Sequence, residues 1–300
     1  MNRKTDAVPP DVEYHRVLAG EKRRIARGVL AILLVMGGLT FFTIALTTVA
    51  TAADTAIRGE GRAVYSPLVH AAGIGAVVLL IPWSMFIQRW LYGVRGPSLH
   101  SVTSRFRFDL FGRALLFAVP AFTVVVVLQY LEPVAQTTWA YSDALWMLAG
   151  TILIMPFQAA AEEYGFRGLV FRVAGGWARG ARAGLVVGVA VSSVAFAIVH
   201  MQADMGLNLW YLVFAVSVAL ITWRTGGVEV AVVLHAVFNV LSFVFDTALR
   251  IDFDAVLADA SASVTALLPG MIVMGGAALA VWLRTRRTGP ARTPRLETAV

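Results

Sequence analysis

Cysteine is absent from the 300 residues, lysine occurs only twice, and Asp, Glu, Lys and Arg together make up just 14% of the chain. Without cysteine there can be no disulfide, no thiolate metal site and no cysteine nucleophile. So few charged residues, against about 25% in an average soluble domain, do not suffice to coat a water-exposed surface of this size. What is present is apolar: 58% hydrophobic residues and a mean hydropathy of +0.74. The apolar residues fall into eight separate runs of about 18 or more, each long enough to cross ~30 Å of hydrocarbon. These features predict an all-α, polytopic membrane protein of about eight transmembrane helices.

The runs place helices at about 28–53, 66–93, 114–134, 143–174, 183–201, 207–225, 228–249 and 264–283. Residues 1–27 and 286–300 read as charged, flexible tails flanking a bundle over 28–285. A first apolar run of about 25 residues exceeds the short core of a cleavable signal peptide, so the first helix is expected to remain as an anchor. An even number of spans puts both termini on one side.

If that side is the cytoplasm, Lys and Arg number 7 in the N-terminal segment, 5 at 89–113, 4 at 167–182, one at Arg224 and 5 in the tail, or 22 of 25. Arg58, Arg62 and Arg250 remain for the opposite loops, beside Asp252, Asp254 and Asp259. This bias predicts a multi-pass protein of the cell (plasma) membrane with both termini cytoplasmic. It also accounts for the net charge of +7 without a nucleic-acid partner, because the basic residues lie between spans rather than on one soluble face. Tryptophans near span ends, among them Trp90, Trp139, Trp210 and Trp282, are expected to form an interfacial belt. Gly180, Gly184 and Gly188 offer a close helix approach, and Pro82, Pro156 and Pro269 are expected to bend their spans.

Ionisable residues inside the spans are few: His70, Glu162, Glu163, Arg167, His200, Glu229 and His235. A charge at membrane depth costs about 2.5–3.5 kcal/mol on insertion scales, so such groups are compensated or used. Glu163 and Arg167 stand four apart with the carboxylate first, the favourable order for an ion pair on one helix face. Glu162 is turned about 100° from that face and left free to act, as a general base must be. His200 ends FAIVH, while His235 and Asn239 share a face of span seven in HAVFN. At ~1.5 Å per residue, Glu162, His200 and His235 lie roughly 18, 24 and 12 Å from the cytoplasmic helix ends, so the three can meet within the bilayer. His70 reads as a helix–helix hydrogen-bond partner and Glu229 as a water-facing residue at the mouth of its span.

EEYGFR (162–167), FAIVH (196–200) and HAVFN (235–239) match, in order, the EExxxR, FxxxH and HxxxN motifs of the CPBP intramembrane proteases. That family includes the type II CAAX prenyl endopeptidases and bacterial bacteriocin-processing relatives, and the resemblance covers about residues 143–245. It implies an endopeptidase acting on membrane-associated peptides or proteins, with its active site inside the bundle. By resemblance, Glu162 activates water, His200 assists, and His235 and Asn239 donate to the oxyanion. Glu163, Arg167 and Phe196 then support the site.

No cofactor is expected. Zinc is the less favoured alternative, with Glu162, His200 and His235 as ligands, since there is no HExxH and asparagine is a poor zinc ligand. Two other functions compete: a proton-coupled transporter using Glu162 and the histidines as a relay, against which no inverted repeat is visible, and a non-catalytic immunity or scaffold protein of the same family.

Overall fold

The computed structural model describes residues 8–59, 65–131, 135–137, 139–258 and 264–295. Eleven α-helices and no strand occur among them: α1 (Ile25–Arg58), α2 (Pro67–Val78), α3 (Leu80–Tyr92), α4 (Phe108–Gln129), α5 (Tyr141–Glu163), α6 (Phe171–Gly175), α7 (Ala181–Val199), α8 (Met205–Thr225), α9 (Glu229–Ala248), α10 (Phe253–Ala258) and α11 (Val264–Thr285). With α2 and α3 as one span and α5 to α6 as another, eight helical segments are long and apolar enough to cross a membrane. The eight expected spans overlap them, with α1 running on to Arg58 rather than 53 and α4 starting and ending earlier, at Phe108 and Gln129, than the expected 114–134. Arg62 and Asp259 lie outside the described residues.

Local chemistry sets the helix ends. Ser66 caps α2 by accepting from the Val69 amide, with Pro67 in the first turn, and Asp204 caps α8 by accepting from the Leu207 amide at 2.7 Å. Gly93 and Gly226 close α3 and α8 in the left-handed conformation. The α2–α3 break at Leu79 lies just before Pro82, which has no amide hydrogen for the Val78 carbonyl four residues back.

α5 packs on α2 and α9, α9 on α4, and α8 on α7 and α11. Phe122, Phe166, Phe196, Phe214 and Val218 form part of the buried core, while Leu33, Phe41, Leu116, Leu153 and Ile272 point outwards. Large apolar side chains on the outside are costly in water and favourable in hydrocarbon. Gly184 and Gly188 make the expected close approach: a Cβ would meet the Gly175 carbonyl at 2.5 Å and the Phe171 ring at 2.8 Å. Gly180 has no such neighbour.

Several readings of single residues change. Glu229 does not face water. It is fully buried in a bidentate pair with Arg107, at 2.8 and 2.7 Å. Arg172 is fully buried, bonded to Ser98 and stacked over the Tyr14 ring at 3.8 Å. Tyr14 belongs to a 3-10 turn, Tyr14–Arg16, that ties residues outside the first span to the bundle through the Leu99 carbonyl, so this stretch is not a free tail. Trp210 is buried in the core rather than placed in an interfacial belt. Pro120, absent from the expected bends, also lies inside a helix, α4. His70 does link helices, bonding Tyr65 and, across to α5, Thr151.

Candidate active site

The last two turns of α5 carry Gln158, Glu162 and Glu163, all buried. The chain then widens into a π-helical segment, Tyr164–Val170, before α6 resumes the α-helix. π-Turns of this kind concentrate at functional sites because the extra residue redirects side chains without breaking the helix. Here the turn sinks Arg167 into the bundle, fully buried beneath the Glu163 carboxylate. Its Nη1 lies 3.2 Å from Glu163 Oε1, an ion pair without hydrogen-bond geometry, and its guanidinium lies 4.1 Å from the Phe196 ring centre. Phe196 thus supports the arginine through its π-face.

α9 supplies His235 and Asn239 one turn apart. His235 sits between the two glutamates: Nδ1 is 2.8 Å from Glu163 Oε1, and Nε2 is 3.7 Å from Glu162 Oε2, beyond hydrogen-bond length. With a carboxylate as partner, Nδ1 donates its proton, and the ring's Nε2 is aimed at Glu162. Glu162 Oε1 accepts from Gln158 Nε2 at 2.5 Å, while Oε2 is buried without a hydrogen-bond partner. Asn239 Nδ2 donates to Gln158 Oε1 at 3.3 Å, so Gln158 bridges the asparagine to the glutamate.

His200 caps the end of α7, directly before Met201, which adopts a left-handed backbone that stops the helix. Its Nδ1 donates to the Phe196 carbonyl at 2.7 Å, and its ring stacks on Tyr211 with centres 3.9 Å apart. The bond to Phe196 fixes the tautomer and leaves Nε2 to act. Glu162, His200, His235 and Asn239 all line one cavity of about 280 Å³, together with Trp210, Phe214 and Phe238.

All seven residues singled out from sequence therefore converge, Glu162, Phe196, His200, His235 and Asn239 lining the cavity and Glu163 and Arg167 beneath them. Two details differ from expectation. Glu162 is not free, since Gln158 holds one of its oxygens, and Glu163 serves His235 as well as Arg167. Gln158 was missed, although an amide four residues before Glu162 in the uncharged run TILIMPFQAAA was a signal. The aromatic wall from α8 and α9 carried none, because aromatic residues are unremarkable in any apolar helix.

His235 holds Nδ1 against Glu163, and among the described residues no group of three or more His, Asp or Glu side chains is spaced to hold a metal ion. What remains is a buried carboxylate oxygen, two histidine ring nitrogens and an amide at one cavity, the elements of general acid–base chemistry with hydrogen-bond stabilisation of an anion.

A family model described as type II CAAX prenyl endopeptidase Rce1-like matches residues 142–241, a third of the chain that includes the site residues from Gln158 to Asn239. Comparison with curated proteins and with solved structures gives no match.

Proposed function

We propose that the chain, whose residues 142–241 match the CAAX protease family model, is an intramembrane endopeptidase using water activated by Glu162. The observation that carries this reading is the Glu162 Oε2 atom: buried, without a hydrogen-bond partner, and 3.7 Å from His235 Nε2 in a cavity shared with His200 and Asn239. In the proposed step, Oε2 takes a proton from a water molecule as its oxygen attacks the scissile carbonyl carbon. The negative charge that develops on the carbonyl oxygen is met by the free N–H of Asn239 Nδ2 and by His235 Nε2 when it carries a proton. The proton held by Glu162 then passes to the departing amide nitrogen, directly or through His200, and the C–N bond breaks. Glu163 keeps His235 oriented and Arg167 balances the charge of Glu163.

The substrate is a membrane-associated peptide or protein that enters the cavity from the bilayer. The aromatic wall of Trp210, Phe214 and Phe238 suits an apolar side chain at the cleaved bond. The basic-residue bias supports placement in the cell membrane with both ends of the chain cytoplasmic. The test is cleavage of lipid-modified and unmodified peptides by the protein in liposomes. Glu162→Gln should lower cleavage by about 10²–10⁴ while leaving the melting temperature near that of wild type. Retained cleavage would refute the role of Glu162, and a proton flux lost in the same variant with no cleavage by either protein would favour a carrier.

A further inference from the structure

A second cavity, of about 570 Å³, lies away from the Glu162 site at the end of the bundle where α8 and α11 finish and α4 and α9 begin. Its wall is apolar, built by residues such as Phe117, Leu234 and Ala280, and its lining also includes Arg113, Arg224 and Arg284. Two helices start and two end here, so their dipoles largely cancel and the arginines decide the sign of the potential.

Arg224 is the informative residue. It is only 7% exposed, its Nε donates to Thr285 Oγ1 at 2.7 Å, and its guanidinium rests 5.1 Å from the Trp223 ring centre, yet Nη2 is buried without a partner. Among the described residues no carboxylate pairs with Arg224 or Arg284, whereas Arg113 is paired with Asp109. A desolvated guanidinium with unmet donors calls for an anion, and its fork matches a phosphate. The position, in the last turns of α8 and α11, is the end of two helices long and apolar enough to cross a membrane, where headgroups would meet hydrocarbon.

We propose that this cavity holds one anionic phospholipid, its phosphate on Arg224 and Arg284 and one acyl chain along the apolar wall. Charge complementarity selects the occupant: a zwitterionic lipid brings its own cation, and a peptide would have to place an acidic group against an otherwise apolar wall. Basic pockets between helix ends at the inner membrane face bind anionic headgroups on this principle. The proposal does not depend on the proteolytic reading.

The test is native mass spectrometry of the full-length protein in neutral detergent, titrated with phosphatidylglycerol or with phosphatidylcholine of the same acyl chains. Wild type should retain the anionic lipid at least about tenfold better, given two uncompensated arginines. Arg284→Gln, at an exposed position, should weaken retention about fivefold. Ala280→Trp, also exposed, should fill the groove and abolish it, with cleavage activity and melting temperature unchanged. Glycerol 3-phosphate, which has no chain, should not be retained. Equal retention of the two lipids, or retention that neither variant alters, would overturn the proposal. A dimer of this chain that Ala280→Trp disperses would also overturn it, making the face a protein interface instead.

Discussion

Replacing Glu163 by Gln removes one charge and almost no volume, which makes it the sharpest probe of how the site is held together. The carboxylate has two buried partners, Arg167 Nη1 at 3.2 Å and His235 Nδ1 at 2.8 Å, and both Glu163 and Arg167 are fully buried. A glutamine can still accept from His235, so that bond is kept in weaker form. The arginine loses its counter-charge in a place no water reaches. Its contacts to Phe196 and Phe214 exist in both proteins and cancel from the comparison. Breaking a buried pair from one side costs about 3–5 kcal/mol, because the stranded charge remains. Removing both charges should cost less, so Glu163→Gln combined with Arg167→Met is expected to be more stable than Glu163→Gln alone. The coupling energy should lie at the upper end of the usual range, about 2–3 kcal/mol. The assay is reversible unfolding in mixed micelles, followed by tryptophan fluorescence. A Glu163→Gln variant within about 0.5 kcal/mol of wild type, or single-variant costs that simply add in the double variant, would refute the reasoning.

Other expectations follow from the same geometry. Gln158→Leu removes the donor on Glu162 Oε1 and the acceptor for Asn239 together. It should lower kcat about 10- to 100-fold with KM unchanged and shift the pH profile of kcat/KM, whereas a purely structural role would leave that profile in place. Asn239→Ala should cost about 10²–10³ in kcat, and chelators should have no effect on wild type. Stoichiometric zinc lost together with activity in His235→Ala would reverse that expectation. Burial holds the His15 imidazole below its ordinary value, with the Ala181 carbonyl and Glu13 opposing, and burial does the same for His100. Groups lowered in the fold contribute stability that is complete above the unfolded value, about 6.5, and is lost as pH falls below it. The melting temperature of wild type should therefore drop between pH 7 and pH 5 more steeply than that of His15→Gln, and parallel curves would contradict the role of His15.

Much of this molecule follows from local rules. A chain in hydrocarbon must satisfy every backbone group within its own segment, so each apolar run becomes a helix whose extent can be read from composition. Six of the eight spans begin and end within about two residues of the hydropathy pattern, whereas α1 runs on to Arg58 and α4 is shifted towards the N-terminus, taking in Phe108 to Arg113 with Asp109 and ending at Gln129. The cost of charge at depth likewise made Glu162, Glu163, Arg167, His200 and His235 conspicuous in the sequence before any contact was known.

What the tertiary structure decided is which partner each of these groups faces. Glu229 finds Arg107 across 122 positions of sequence, and His235 reaches Glu163 across 72, and no periodicity encodes either distance. Arg172, counted with the basic residues that set topology, turns out to anchor Tyr14, while Trp210 leaves the interface for the core. The π-turn that sinks Arg167, the ring nitrogen His235 offers to each glutamate, and the Gln158 bridge all depend on how neighbouring helices pack. Backbone hydrogen bonding acts within a segment and is visible in it, whereas the pairing of buried polar side chains is settled only when separate helices meet, because each must find its partner among groups that the chain brings from elsewhere.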